Sequence, residues 1–211
     1  MESAVAREQA LDAAETLFYG RGIQSVGMDD IRGASGVSLK RLYQLFPAKE
    51  QLVVAYLERR DLRWRGRLAA YVDRHEDNNE TGHADARQRV LAVFDWLGRW
   101  FREPDFRGCA WINSYGELGA VSEPVAERVR AHKRAFGEYL GRLVDDAGLP
   151  AELAGQLQLL AEGAMVTAAV ERSAEPAARA GRAARALIDS YGSSDRSSDR
   201  SCDPNGVPAG H

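Results

Sequence analysis

The stretch from Gly36 to Lys49, reading Gly-Val-Ser-Leu-Lys-Arg-Leu-Tyr-Gln-Leu-Phe-Pro-Ala-Lys, constrains the fold more than any other part of the chain. A glycine turn precedes it and Pro47 closes it, so any helix inside it is short. A short helix is unstable alone in water and persists only by docking its apolar side on neighbours. Projected at roughly 100° per residue, Leu39, Leu42, Tyr43 and Phe46 fall on one side. Lys40, Arg41 and Gln44 fall on the other. Ser38 is placed to cap the helix, its hydroxyl accepting a backbone N–H near Arg41.

The preceding residues supply a scaffold for that helix. Val5 to Tyr19 carries Ala10/Leu11, Ala14, Leu17 and Phe18 at helical spacing, and Gly20-Arg21-Gly22 stops it. Gly27 serves as a weak N-cap for a helix over Met28–Ala34, with Asp29 and Asp30 favourably placed in its first turn. Met28, Ile31 and Val37 are expected to face inward, and Ser35-Gly36 to make the turn between the two short helices. Three helices with a glycine-containing turn before the last match a helix-turn-helix module. Its outward Lys40, Arg41 and Gln44 are side chains suited to guanine, phosphate and adenine edges. An ordinary helical hairpin in an all-α core is the competing reading.

Residues Arg7 to about Arg60 resemble the DNA-binding half of the tetracycline-repressor (TetR) family of bacterial transcriptional regulators. The resemblance is carried by Ala13-Ala14-x-x-Leu17-Phe18 with Gly20/Gly22, then Val26-Gly27-Met28-Asp29-Asp30-Ile31, then Gly36-Val37-Ser38. It ends with Leu42-Tyr43-x-x-Phe46-x-x-Lys49-Glu50-x-Leu52. Carried over residue by residue, it implies that Tyr43 and Lys49 hold phosphates and that Ser38 caps or touches the DNA backbone. Lys40, Arg41 and Gln44 would face bases, and Gly27 and Leu39 complete the DNA-contacting set. Two departures stand out. Leu39 and Lys40 occupy positions where the family most often has Lys and then Gly or Ala. Gly27 replaces a common Ser or Thr, so one phosphate-contacting hydroxyl is missing.

Composition narrows the rest. The chain has 211 residues, a net charge of −3, 45% hydrophobic and 28% charged residues, an ordinary globular composition. A DNA-binding surface must then be a local patch, and Gly33 to Lys49 contains Lys40, Arg41 and Lys49 with no acid. No run of about 18 apolar residues and no signal-peptide layout at the N-terminus imply a cytoplasmic protein without a membrane span. Cys109 and Cys202 lie far apart without metal-type spacing. His75, His83, His132 and His211 are scattered. No metal, cofactor or enzymatic activity is expected.

Beyond Pro47 a long helix is expected from Ala48 to about Arg74, its N-terminus forming an anion site beside Lys49. Residues 75–83 read as an exposed loop. Further helices are expected at about 84–102, 110–118, 123–147, 151–171 and 175–190, separated at Pro104, Pro124, Pro150 and Pro176. No alternating strand pattern occurs, so the fold is all-α. The expected organisation is a helix-turn-helix domain over 1–47, a helical ligand-binding and dimerisation domain over 48–191, and a disordered tail over 192–211.

In the helix at 84–102, apolar residues from Val90 to Phe101 cover an arc of roughly 220°, which places it at the centre of the second region. Phe94, Trp96, Leu97, Trp100 and Phe101 are expected to line a small-molecule pocket with Cys109, Phe136, Tyr139 and Met165; Phe106, Trp111 and Tyr115 lie on surrounding elements. Asn113 and Glu117 are the candidate polar contacts. A packed aromatic core without a cavity is the alternative. Alanine-rich faces at 151–190 suggest close helix pairing, and the resemblance implies a four-helix dimer contact; closure of the monomer's own core competes with it.

Together these features imply a ligand-responsive regulator binding a near-palindromic double-stranded operator as a homodimer, released by a small, largely apolar effector. The long helix from Ala48 is the expected coupling element. An activator, a constitutive repressor without a pocket, and a helical binding protein that keeps only a relic of the module remain open.

Overall fold

The computed structural model describes residues 3–74 and 82–194. The expected tail from 195 onward and most of the expected loop at 75–83 lie outside the described residues. Among those described, every regular element is helical: α1 (Ser3–Arg21), α2 (Met28–Ser35), α3 (Leu39–Leu45), α4 (Lys49–Asp73), α5 (Gly82–Trp100), α6 (Ala110–Leu118), α7 (Glu123–Asp146), α8 (Glu152–Glu171) and α9 (Glu175–Ser194). The last helix runs on to Ser194, through the start of the expected tail.

The ends of these helices follow from local chemistry. Ser38 caps α3 by accepting the Arg41 N–H (3.3 Å), and Ser122 caps α7 by accepting that of Val125 (3.3 Å). The turn between α2 and α3 closes on Gly36 in the left-handed region, φ 69°, where a side chain would be strained. Gly108, with φ +88°, has a second constraint, because a Cβ there would stand 2.9 Å from that of Ala169.

α1, α2 and α3 wrap one small core built from Ala10, Ala14, Phe18, Ile31, Val37 and Leu42, all buried. α4 then crosses from this module into the rest of the molecule, packing on α1, α5 and α7. Its N-terminal half is bolted to α1 by charge. Arg59 bridges Glu8 (2.9 Å), Asp12 (2.8 Å) and Glu15 (3.2 Å), while Arg60 reaches Glu15 at 2.7 Å. Glu15, Arg59 and Arg60 are largely shielded from water, so these pairs hold the module's angle to α4 more firmly than exposed pairs would.

α5 is central, as its wide apolar arc implies. One side meets α4, and the other meets α9, where a Cβ on Gly181 would touch that of Phe94 at 3.3 Å. α8 qualifies the expectation that no segment suits a membrane: by length and a mean hydropathy of 1.2 it is the one described helix that does. It packs on α9 and α7, yet Leu159 and Val170 on it are 76% and 79% exposed.

Candidate nucleic-acid interface and sensing core

α3 presents its polar side because Leu42, wholly buried, and Phe46 anchor the other. Lys40, Tyr43 and Gln44 are exposed and Arg41 is half-exposed. Tyr43 does not belong to the docked side where projection put it: it is 46% exposed. On so short a helix the edge of the apolar arc has no neighbour to cover it. Leu39 and Leu45 are half-buried against the core instead. Arg41 donates to the Gln44 side-chain oxygen (3.0 Å), so these two side chains form one unit.

The acids beside this surface are already engaged in local bonds. Arg32 pairs with Asp29 (2.9 Å), and Asp30 accepts the Gly27 N–H (2.7 Å) at the start of α2. Lys49 opens α4, and its ammonium lies over the Phe18 ring, 5.9 Å from the centroid. Burial lowers its pKa, against the pull of Glu117 and Asp30. Ala48 provides no side-chain cap, so the first N–H groups of α4 are left for another acceptor.

The aromatic residues of the second region converge, around a hub that sequence reasoning did not assign to the site. Trp64 of α4 stands edge-on to Trp96 (5.0 Å between centroids), His132 (5.3 Å), Phe136 (5.4 Å), Trp100 (5.7 Å) and Trp111 (6.1 Å). Trp96 and Trp100 stack (5.7 Å), and Phe106 contacts Trp100 and Phe101. Leu97, Cys109 and Met165 are buried around them, and Lys133 Nζ lies 3.4 Å from Cys109 Sγ. Phe94 is turned to α9 and stands apart from this cluster. Tyr139 is half-buried with Arg142 over its ring, and Tyr115 is 52% exposed.

The rings fill the space between them, and cavities open at the cluster's margins. One of about 460 Å³ lies between α4 and α7, lined in part by Asp61, Trp111 and His132. Another of about 210 Å³ lies between α1 and α4, beside Tyr19, Trp64 and Trp100. A third of about 510 Å³ lies beside Phe101, Phe106 and Ala169.

His132 is the buried polar residue of the cluster. Its ring stacks on Trp111 at 3.5 Å with 4° between planes, and Nδ1 is 2.6 Å from Asp61 Oδ1. Burial lowers its pKa, opposed by the bond to Asp61. Burial raises that of Asp61, but hydrogen bonds from His132 and Arg65 outweigh it and the net shift is downward. The pair is therefore a neutral imidazole donating Nδ1–H to a carboxylate, which leaves Nε2 as an acceptor.

Asn113 and Glu117, expected as cavity contacts, are engaged elsewhere. Asn113 is exposed and donates to the Arg107 carbonyl (3.0 Å). Glu117 accepts the backbone N–H groups of Ile23 (3.0 Å) and Gln24 (2.7 Å), while the Gln24 side chain donates to its carbonyl (2.7 Å). At the other end of α6, the Tyr19 hydroxyl donates to Gly108 O and accepts from the Arg107 N–H, both at 2.8 Å. Ser122 donates to Glu50 (2.6 Å). The Tyr19 and Glu117 bonds fasten the two ends of α6 to the N-terminal module, and the Ser122 bond fastens the start of α7 to α4. No local signal in the sequence announces them, since the partners lie 72 to 94 residues apart.

Comparison with known proteins agrees with this architecture. The family of bacterial regulatory proteins of the tetR type matches residues 10–56, the span of the helix-turn-helix. The transcriptional repressor NemR of Escherichia coli is 26% identical over 180 residues, covering 81% of this chain and 87% of that protein. The transcriptional activator FasR of Mycolicibacterium smegmatis is 34% identical over 163 residues, covering 70% and 63%. A TetR-family regulator of Streptomyces coelicolor superposes with a TM-score of 0.75 at 27% identity, over 89% of this chain and 96% of that one. From its helix-turn-helix through its helical C-terminal domain, this chain belongs to the TetR family of DNA-binding transcriptional regulators.

Proposed function

We propose that the protein is a homodimeric repressor that leaves its operator when a small, largely apolar molecule binds its C-terminal domain. The observation that carries the DNA half is α3, whose buried Leu42 holds Lys40, Arg41 and Gln44 outward on a surface where Asp29 and Asp30 are already satisfied. Arg41 and Gln44 read base edges once their mutual bond opens. Lys40 faces the bases beside them, Tyr43 contacts phosphate, and the uncapped start of α4 beside Lys49 receives another phosphate. Residues 1–47 are the reading unit and 48–191 the sensing and pairing unit.

The exposed Leu159, Val166 and Val170 of α8 support a dimer through the last two helices, since an unpaired apolar face of that kind is costly in water. Two recognition helices then sit about one DNA turn apart, roughly 34–36 Å. Coupling runs through α6 as well as α4. A ligand that shifts Trp111 at the start of α6 shifts Glu117 at its end, and with it the turn after α1. Only a difference in ligand affinity between the two arrangements makes this work.

The relative named as an activator favours a second reading, in which the same DNA contacts recruit rather than block transcription. Footprinting the purified chain on its own upstream region, beside a reporter assay, tests both. A symmetric footprint whose occupancy lowers transcription supports the repressor, and one whose occupancy raises it supports the activator. No protection at low salt would overturn both.

A further inference from the structure

We propose that the cavity between the α5–α6 loop and the end of α8 binds an aromatic carboxylate, with its ring on Phe101 and Phe106 and its carboxylate held by Arg107 and Arg172. This rests on the ligand-gated reading above and names the site and the effector chemistry. The cavity, about 510 Å³ in volume, falls in the range of small-molecule sites. Phe101, Phe106, Ala168 and Ala169 supply its apolar surface, and Phe106 packs edge-on against Trp100 (5.0 Å between centroids). Its charged residues are Glu103, Arg107 and Arg172, of which Glu103 is engaged by Arg67.

The two arginines set this cavity apart. In the cleft between α4 and α7, Arg65 pairs with Asp61 and Arg128 with Glu58. In the cleft beside Tyr19, Arg60 and Arg63 pair with Glu15, and Arg67 with Glu103. Arg107 and Arg172 are exposed, and neither forms an ion pair among the described residues. Arg107 Nη1 bonds only backbone carbonyls, those of Pro104 (3.4 Å) and Phe106 (3.0 Å), which leaves Nε and Nη2 to donate. Beside Arg172, Glu171 and Glu175 are taken by Arg179 (2.7 and 2.6 Å). Arg172 ends α8 at φ 52°, the one positive value among the described non-glycine residues. Glycine fills such a position without strain, and a strained residue at a cavity marks a side chain held there for a task. Guanidinium forks present paired N–H groups to the two oxygens of a carboxylate, and the apolar floor takes the ring that carries it.

The loop that such a ligand engages also holds the DNA-binding module. The Arg107 N–H donates to the Tyr19 hydroxyl, which donates to Gly108 O, both at 2.8 Å, and Gly108 lies against Ala169 of α8. A carboxylate that draws Arg107 toward Arg172 therefore shifts the grip on α1.

Calorimetric titration of the full chain with 2-naphthoate and with 2-naphthamide, the same rings under an uncharged head of similar shape, tests the assignment. The acid is expected to bind saturably and the amide about tenfold more weakly, the scale of a charge-assisted hydrogen bond. Arg107→Gln and Arg172→Gly should each weaken the acid about tenfold and leave the amide unchanged. Arg172→Gly also relieves the left-handed backbone, so its melting temperature should not fall; an arginine with a merely structural role would lower it and keep the preference for acid over amide. Equal affinity for acid and amide, a preference that survives both substitutions, or no saturable heat with the acid would overturn the proposal. So would acetate binding as tightly as 2-naphthoate, which would reduce the site to a surface anion patch. Anisotropy of a labelled operator complex, read in parallel, separates the two ideas. Charge-dependent binding without release supports the site and contradicts ligand gating, whereas release by the acid that persists in both variants contradicts the site alone.

Discussion

The recognition helix and the aromatic core use apolar residues to opposite ends. α3 buries Leu42 and Phe46 so that what remains outside, Lys40, Arg41, Tyr43 and Gln44, is presented in a fixed frame. The core around Trp64 keeps its rings inside, and clefts open only where the packing ends, one of them beside His132 and Trp111. On the proposed function, one region acts through its surface and the other through a margin of its packed interior. α6, tied at both ends to the N-terminal module, connects them.

Core truncations should separate the two regions most strongly. Trp64→Ala removes the hub and is expected to cost about 3–5 kcal/mol of unfolding free energy, measured by denaturant melts, while operator affinity of the folded fraction changes little. Leu42→Ala should cost about 2–5 kcal/mol and abolish DNA binding even where the remaining helices stay folded. Equal losses of DNA binding in the two variants would remove the distinction.

Glu117→Ala comes next. It strips two backbone N–H groups of their acceptor and is expected to cost about 1–2 kcal/mol. Its sharper effect is on communication: a ligand that releases DNA from the native chain should bind this variant and release far less. Unchanged release, read by anisotropy, would leave α4 as the coupling element.

The smallest effect concerns pH. His132 has a lowered pKa when folded, so below its ordinary value near 6.5 the unfolded chain takes up a proton that the folded one refuses. Stability from this group is present above about pH 6.5 and is lost as pH falls toward the folded value, by at most about 1.4 kcal/mol per unit for one proton. Asp61, whose folded pKa is also lowered, adds a loss in the same direction at more acidic pH. Melting temperatures of His132→Gln should fall less than those of the native chain between pH 7 and 5; parallel curves would contradict a neutral buried imidazole.

Local pattern carried much of the fold. The helices at 110–118 and 151–171 lie within a residue of where periodicity and the flanking Pro and Gly put them, because capping and chain breaks are short-range effects. Ser38 as the cap of α3 was legible for the same reason. Tyr43 was misplaced because a projection on so few residues cannot tell the edge of an arc from its middle. The long-range pairs were not legible at all: Asp61 with His132 across 71 residues and Glu117 with Ile23 across 94 depend on tertiary packing that one sequence does not encode in any local signal. Asn113 and Glu117 read as pocket contacts in the sequence because a single polar helix turn looks the same whether it faces a ligand, the loop before it as Asn113 does, or the N-terminal module as Glu117 does.

The reading of α3 can be tested on its own. In the triple variant Lys40→Ala, Arg41→Ala, Gln44→Ala, no buried residue is altered, so circular dichroism and melting temperature should match those of the native chain. Anisotropy across single-base operator variants, at fixed salt, should show native preferences of about 1–3 kcal/mol at the contacted bases collapsing to near zero in the variant. A triple variant that still discriminates the same bases would show that another surface reads the DNA.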